Sequence, residues 1–271
     1  MKPIDAHNHL HDARLAPILP GPDVQCAVVN GTREDDWPAV AALAARCAWV
    51  LPSFGLHPWY VAGRSADWLD HLRTQLDAHP HAAIGEIGLD GWIEGHNLAD
   101  QTAVFTAQLA LAAERDLPVT IHCIQAWGAL WKIIRTHPLP ARGFLLHAYG
   151  GSLEMMRSFV KRGAYFSFPP YFLHERKAAQ RNVFAEIPED RLLVETDAPD
   201  LRPPDERNPH PLGDAAGAPI NHPANIEVAY AGLAEIRGIG IASLTAIAGA
   251  NFARLFTEPG RSAASTAAVR R

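Results

Sequence analysis

Cysteine is nearly absent: Cys26, Cys47 and Cys123 form an odd, widely spaced set in 271 residues. That excludes a disulfide framework and makes the reducing cytoplasm the expected compartment. No run of about 18 apolar residues occurs, which excludes a transmembrane helix. The opening Met-Lys-Pro-Ile-Asp leads into polar residues without the apolar core of a signal peptide. An excess of positive charge is also missing, since 24 Lys and Arg against 29 Asp and Glu give a net charge of −5. A dedicated duplex-DNA reader needs a basic face and is disfavoured. An enzyme that meets nucleic acid through metal ions is not excluded. Extreme composition is lacking as well: at 48% hydrophobic and 20% charged, disordered, collagenous and coiled-coil classes drop out.

What is present is alternation. Short β-like runs at 3–8, 25–30, 50–56, 83–89, 119–123, 143–147, 164–168 and 191–196 are separated by helix-period stretches. These stretches lie at 37–48, 67–78, 98–115, 127–136, 153–162, 176–185 and 225–236. Several of the runs are apolar almost throughout, as parallel strands buried on both faces must be. Eight strand–helix units, the first with a short or irregular helix, predict an α/β fold of the (β/α)8 TIM-barrel type. A doubly wound open sheet is the rival. A last helix at 241–256 is expected to cap the barrel. Residues 1–257 are read as one domain and 258–271 as a flexible tail. The connection at 200–223, rich in Pro, Gly and charge, is long enough to suggest a functional loop.

Fourteen histidines invite a search for a metal site. His7 and His9 close the first strand two residues apart, so both face one way and can address one ion. Glu86 lies in the apolar run Ile84-Gly85-Glu86-Ile87-Gly88, where an unpaired carboxylate is costly. His122 ends the fifth strand, His147 the sixth, and Asp197 follows the eighth. Taken singly, each has a bland reading: a surface or core histidine, a salt bridge, a turn. Together the six fall at the C-terminal strand ends, where barrels carry their active sites. Four imidazoles and two carboxylates suit two divalent ions, with Zn, Mg and Mn all candidates. Glu195 shares the parity of Asp197 and is placed to support a ligand histidine or to act as a structural carboxylate.

These stretches resemble the TatD-type metal-dependent deoxyribonucleases, a branch of the amidohydrolase-like barrels. The resemblance rests on Ile4-Asp-Ala-His7-Asn-His9, Gly55-Leu-His57-Pro58, Gly85-Glu86-Ile-Gly-Leu-Asp90 and Leu117-Pro-Val-Thr-Ile-His122. It continues in Leu146-His147, Glu195-Thr-Asp197-Ala-Pro199 and Asn251…Arg254-Leu-Phe256, and spans about residues 4–256. It implies a two-metal hydrolase of phosphoester bonds. His7, His9, Glu86 and Asp197 would hold one ion, and Glu86, His122 and His147 the other. Asp197 would take the proton of the attacking water, and His57 would contact substrate phosphate. Relatives that use a carbamylated lysine as the bridge need a lysine at a strand end. Lys2, Lys132, Lys161 and Lys177 are not so placed, which leaves Glu86.

Three positions depart from the family pattern. Ile124 stands two residues after the strand-five histidine, where many members carry Arg, and Ile220 replaces the Arg of an Arg-Asn-Glu-Pro stretch. Tyr149 stands where Phe is usual. Arg grips phosphate bidentately, so the rim is expected to be less cationic. Weak, salt-sensitive binding is expected, with small phosphoesters or short single-stranded DNA preferred over duplex. The residues alone leave open a C–N or carboxylic ester substrate for the same metal pair, and a catalytically silent metal-binding scaffold. No membrane is expected, and the residues leave the oligomeric state open, a monomer being compatible with them.

Overall fold

In the computed structural model, residues 2–18 and 23–257 are described. Eight strands form one parallel sheet in sequence order: β1 (Ile4–Asn8), β2 (Cys26–Asn30), β3 (Val50–Phe54), β4 (Ala83–Asp90), β5 (Val119–Ile124), β6 (Phe144–Leu146), β7 (Ala164–Phe168) and β8 (Leu192–Val194). The rival open sheet would require the strand order to reverse at a switch point, and it does not. The sheet curls until β8 meets β1. There His9 N donates to Ala198 O at 2.8 Å and Asp197 N to His7 O at 3.0 Å. The seam is also bridged by the buried Asp5 carboxylate, which accepts from Thr196 N and Oγ1 at 3.0 and 2.6 Å. Burial raises the Asp5 pKa to about 7 despite these bonds.

Helices α1 (Trp37–Arg46), α2 (Trp68–Ala78), α3 (Leu98–Arg115), α4 (Trp127–Thr136), α5 (Leu153–Val160), α6 (Ala178–Glu186) and α7 (Ile226–Arg237) follow strands two to eight. Their ends carry local signals. Asn97 caps α3 by accepting from Asp100 N, Ser152 caps α5 through Met155 N, and α7 stops at left-handed Gly238. The first unit has only a 3-10 turn, Ala13–Ile18, which contains Pro17. The last helix, α8 (Ile241–Phe252), runs into a π turn, Ala253–Thr257. It packs on β8 and β1. Its end tucks under the N-terminal mouth, where Arg142 donates to Leu255 O at 3.2 Å. The tail expected at 258–271 lies outside the described residues.

Three strands stop earlier than the apolar runs suggest: β3 ends at Phe54, β6 at Leu146 and β8 at Val194. After the last two the chain turns at Ala148 (φ 41) and Asp197 (φ 54). The long connection at 200–223 is ordered by a small hairpin, β9 (Pro211–Gly213) with β10 (Pro219–Asn221). Asp214 Oδ1 accepts from Ala216 N and Ala218 N at its turn. Among the described residues no single helix is long and apolar enough to cross a membrane.

Candidate metal centre

All six residues singled out as ligands meet at the C-terminal mouth, and each is buried or nearly so. Glu86 is their centre. Its Oε2 lies 3.5 Å from His7 Nε2 and 3.3 Å from His9 Nε2. Its Oε1 lies 3.1 Å from His122 Nδ1 and 2.8 Å from His147 Nε2. Asp197 Oδ1 completes the first group, 3.3 Å from His7 Nε2 and 3.5 Å from His9 Nε2. The two oxygens of one carboxylate therefore face two separate donor groups. Donors held roughly 2.0–2.2 Å from one tetrahedral ion sit roughly 3.3–3.6 Å apart, the spacing of the Oε2 group. His7 Nε2 and Asp197 Oδ1 are buried without a hydrogen-bond partner. An ion would satisfy both, so the donor set fits divalent metal.

The strands hold these atoms by close backbone approach. A Cβ on Gly88 (φ 151) would stand 2.0 Å from His122 O, so only glycine lets β4 lie this close to β5. A Cβ on Gly85 would meet Asn30 Oδ1 and Ser53 Oγ, both at 2.8 Å. Outside the helix cap at Asp116, the described non-glycine residues with positive φ are Gln125, Ala148, Asp197 and Leu201. All four follow strands at this mouth. Such conformations cost of order 1–3 kcal/mol each and collect where function over-determines the backbone.

Ring nitrogens are assigned by their second partners. His9 Nδ1 is 2.8 Å from Asn30 O, which accepts its proton and leaves Nε2 for the centre. His122 Nε2 is 2.8 Å from Asp90 Oδ2, which leaves Nδ1. The Asn30 amide stands 3.0 Å from His7 Nδ1. Turned with its otherwise unpartnered Oδ1 toward Nδ1–H, it frees His7 Nε2 in the same way. Glu195 takes Ala148 N at 2.8 Å and the Ser167 hydroxyl, but stands 3.8 Å from His147 Nδ1. It anchors the turn that carries His147 rather than hydrogen-bonding the ring.

Burial opposes charge on Glu86, but the surrounding imidazoles overcome it and hold its pKa well below the ordinary carboxylate range. Burial likewise opposes the charge of Asp197, and the adjacent His7 and His9 rings outweigh it, again lowering the pKa. For His9, the desolvation that lowers its pKa is outweighed by the neighbouring carboxylates of Asp197 and Glu86, which raise it. In His147 the same opposition is overcome by Glu86 and Glu195. His57 behaves differently. Burial pushes its pKa down to about 4, so the ring is neutral. Its Nδ1 accepts from Trp59 N at 3.2 Å, which puts the proton on Nε2, 3.4 Å from Glu86 Oε1. His57 is thus deeper than a rim residue and presents a donor.

Asp90 was not singled out in the sequence, although it shares the parity of Glu86 along β4. Fully buried, it accepts from Trp92 N and Ile93 N on Oδ1, and from Trp59 Nε1 on Oδ2 beside His122. His11, the third histidine of the opening alternation, also reaches the cavity, its Nε2 3.6 Å from Asp36 Oδ2. The cavity over the centre measures about 790 Å³. Ile124 lines it at 38% exposure, but Ile220 is buried in the core and does not. The expected loss of rim charge therefore applies to Ile124 and not to Ile220, whose side chain packs inward.

Residues 4–257 match the family described as TatD related DNase. The chain is similar to the uncharacterized metal-dependent hydrolase YjjV of Escherichia coli (strain K12), 32% identical over 212 residues and 78% of each chain. It is 32% identical over 229 residues to a 3'-5' ssDNA/RNA exonuclease TatD of Enterobacter lignolyticus (strain SCF1), covering 84% of this chain and 85% of that one. Its fold matches the crystal structure of the Escherichia coli YjjV protein with TM-score 0.84 and 28% identity, over 94% of this chain and 98% of that one. The chain belongs to the TatD related DNase family and is a metal-dependent hydrolase.

Proposed function

We propose that the protein cleaves phosphoester bonds in short or single-stranded nucleic acid with two divalent ions. His7, His9, Glu86 and Asp197 would hold one ion, and Glu86, His122 and His147 the other. The observation that carries this reading is the bridging posture of Glu86, with one oxygen toward each donor group. Relatives named as ssDNA/RNA exonucleases point the same way. Bound divalent ions supply Lewis acidity and acidify a water near neutral pH. The chain supplies the rest. Asp197, kept ionised, accepts the proton of the attacking water on its carboxylate. His57, neutral, donates Nε2–H to a phosphoryl oxygen. Asp90 and Asn30 fix the tautomers of the ligand rings. The test is an assay of chelated and then Mg-, Mn- or Zn-loaded protein against single-stranded DNA, bis-p-nitrophenyl phosphate and an amide panel. Metal-restored phosphodiester cleavage is expected. Amide turnover without phosphoester turnover would overturn the proposal.

A further inference from the structure

The rim of the cavity is divided. Around the barrel, the cations that line it come from the segments after β1, β2 and β7: Arg14, Arg33 and Lys177. Arg14 is tied to Asp12 at 2.7 Å and Asp200 at 3.4 Å. Arg33 and Lys177 have no carboxylate partner among the described residues. Each lies 4.9 Å from an aromatic ring centre, Tyr60 and Tyr171 respectively. The arc after β3 to β5 contributes no lysine or arginine to the described lining. It offers Trp59, 44% exposed, and Ile124. Trp92, 63% exposed, follows on the adjoining loop. These are three of the four large apolar side chains exposed among the described residues, the fourth being Ile241.

Asp90 draws the three together. It is the register partner of Ile124, accepts the Trp59 indole N–H at 2.8 Å and accepts Trp92 N at 2.7 Å. Scattered exposed apolar residues are ordinary, but these three adjoin one residue, Asp90, whose carboxylate holds the Trp59 indole and the Trp92 backbone. Beneath them, the Trp59 ring stands edge-on to His57, with centroids 5.2 Å apart. A rigid indole with its polar atom already engaged keeps a π-face to offer and loses little freedom on binding.

We infer that the Trp59–Ile124 arc seats an unpaired nucleobase of the substrate, with the attached phosphates running toward Arg33 and Lys177. This rests on the phosphodiesterase reading above and adds which part of the substrate is recognised where. An apolar shelf bordered by Arg33, whose guanidinium lies over Tyr60, and faced by Lys177 from the segment after β7 matches a flat base joined to an anionic backbone. Ile124 then has a role of its own: it extends the shelf where an Arg would place charge.

The test compares two short single strands of equal length and phosphate number, one of thymidines and one of abasic residues, with Mn-loaded protein. The unaltered protein should favour the thymidine strand in kcat/KM by roughly 5- to 100-fold, the range of one base–aromatic stack. Trp59→Ala should remove most of that preference, and Trp59→Phe, which keeps a ring without the N–H, should retain it. Trp59→Ala is expected to slow both strands through Asp90, so the ratio is the readout. Ile124→Ser, which does not touch the metal ligands, should shrink the ratio several-fold at unchanged metal content. Lys177→Ala and Arg33→Ala should weaken both strands equally. Equal cleavage of both strands by the unaltered protein would overturn the shelf and leave the phosphodiesterase reading intact. Cleavage of neither would overturn that reading. A Trp59→Ala variant that changed oligomeric state while keeping the full base preference would show the arc to be a protein contact instead.

Discussion

At the N-terminal end of the strands, Asn251 donates to Glu189 O and Leu192 O, both at 2.7 Å, and Arg142 holds the last turn through Leu255 O. At the opposite end, His7 Nε2 and Asp197 Oδ1 are buried with no partner, and four non-glycine residues turn through positive φ. One end finishes secondary structure, and the other leaves donors aimed at a common space. The difference shows how a barrel separates stability from chemistry. The apolar packing and the closing helix lie where nothing reacts, and, apart from the α3 cap at Asp116, the described positive-φ turns of non-glycine residues lie at the mouth that carries the donors.

The comparison breaks if the two ends respond alike to substitution. Glu86→Ala removes the one residue common to both donor groups, so hydrolysis should fall to background and metal content should drop. Asn251→Ala should instead cost about 1–3 kcal/mol in unmade bonds, lowering Tm by several degrees at about 2–4 °C per kcal/mol for a chain of this size. Its turnover per folded molecule should stay unchanged. Thermal melts and metal analysis on both variants decide this. A Glu86→Ala protein that melted far lower yet still turned over would reverse the assignment.

Asp197→Asn keeps the shape and loses the base. Turnover should fall roughly 10²- to 10⁴-fold, the usual worth of a proton acceptor, while metal-free Tm falls only by what the paired carboxylate contributed. Near-full rate at saturating metal would remove Asp197 from the chemistry. Asp90→Asn acts one step back, through the His122 tautomer. Metal affinity should weaken about 10- to 100-fold, and kcat should recover as metal is raised.

Acid–base behaviour sharpens the contrast further. In the metal-free protein, His9 and His147 have pKa values well above the ordinary 6.5. Their stabilising pairing is complete below that ordinary value and is lost as pH rises through the raised ones. Glu86 and Asp197 are shifted downward, so their contribution holds above the ordinary carboxylate range and is lost only as pH falls through the lowered values. Metal needs the same ring nitrogens deprotonated. The Tm difference between loaded and metal-free protein should therefore widen from about pH 6 to about pH 9. A difference independent of pH would mean that imidazoles do not carry the ion.

Much of this was legible in residues 3–9, 83–90 and 119–123. Alternation places His7 and His9 on one face, and a carboxylate inside an apolar strand asks for a partner. What was not legible depends on pairings between strands. Asp90 gains meaning only because β4 and β5 align it with Ile124, beside His122. His57 sits as deep as it does because its Nδ1 accepts from the turn at Trp59. Ile220 was read as a rim position from its stretch alone, yet the β9–β10 hairpin turns it into the core. Its direction is set by pairing with Leu212 across the hairpin, which local pattern around 220 does not carry.

The smallest expected effect concerns Ile124, which lies on the mouth and contributes nothing to the metal donors. Ile124→Arg adds one cation where the arc has none. Each phosphate neutralised on a single strand steepens the logarithmic salt dependence of binding by about 0.7. Binding of a short single strand should tighten a few-fold at low salt, and the gain should fade as salt rises. Because the substitution also removes part of the base shelf, the abasic strand should gain more than the thymidine strand. Titrations of both strands at several salt concentrations measure the slope. An unchanged slope would mean that the backbone of the bound strand does not pass Ile124, and would confine the phosphates to the side of Arg33 and Lys177.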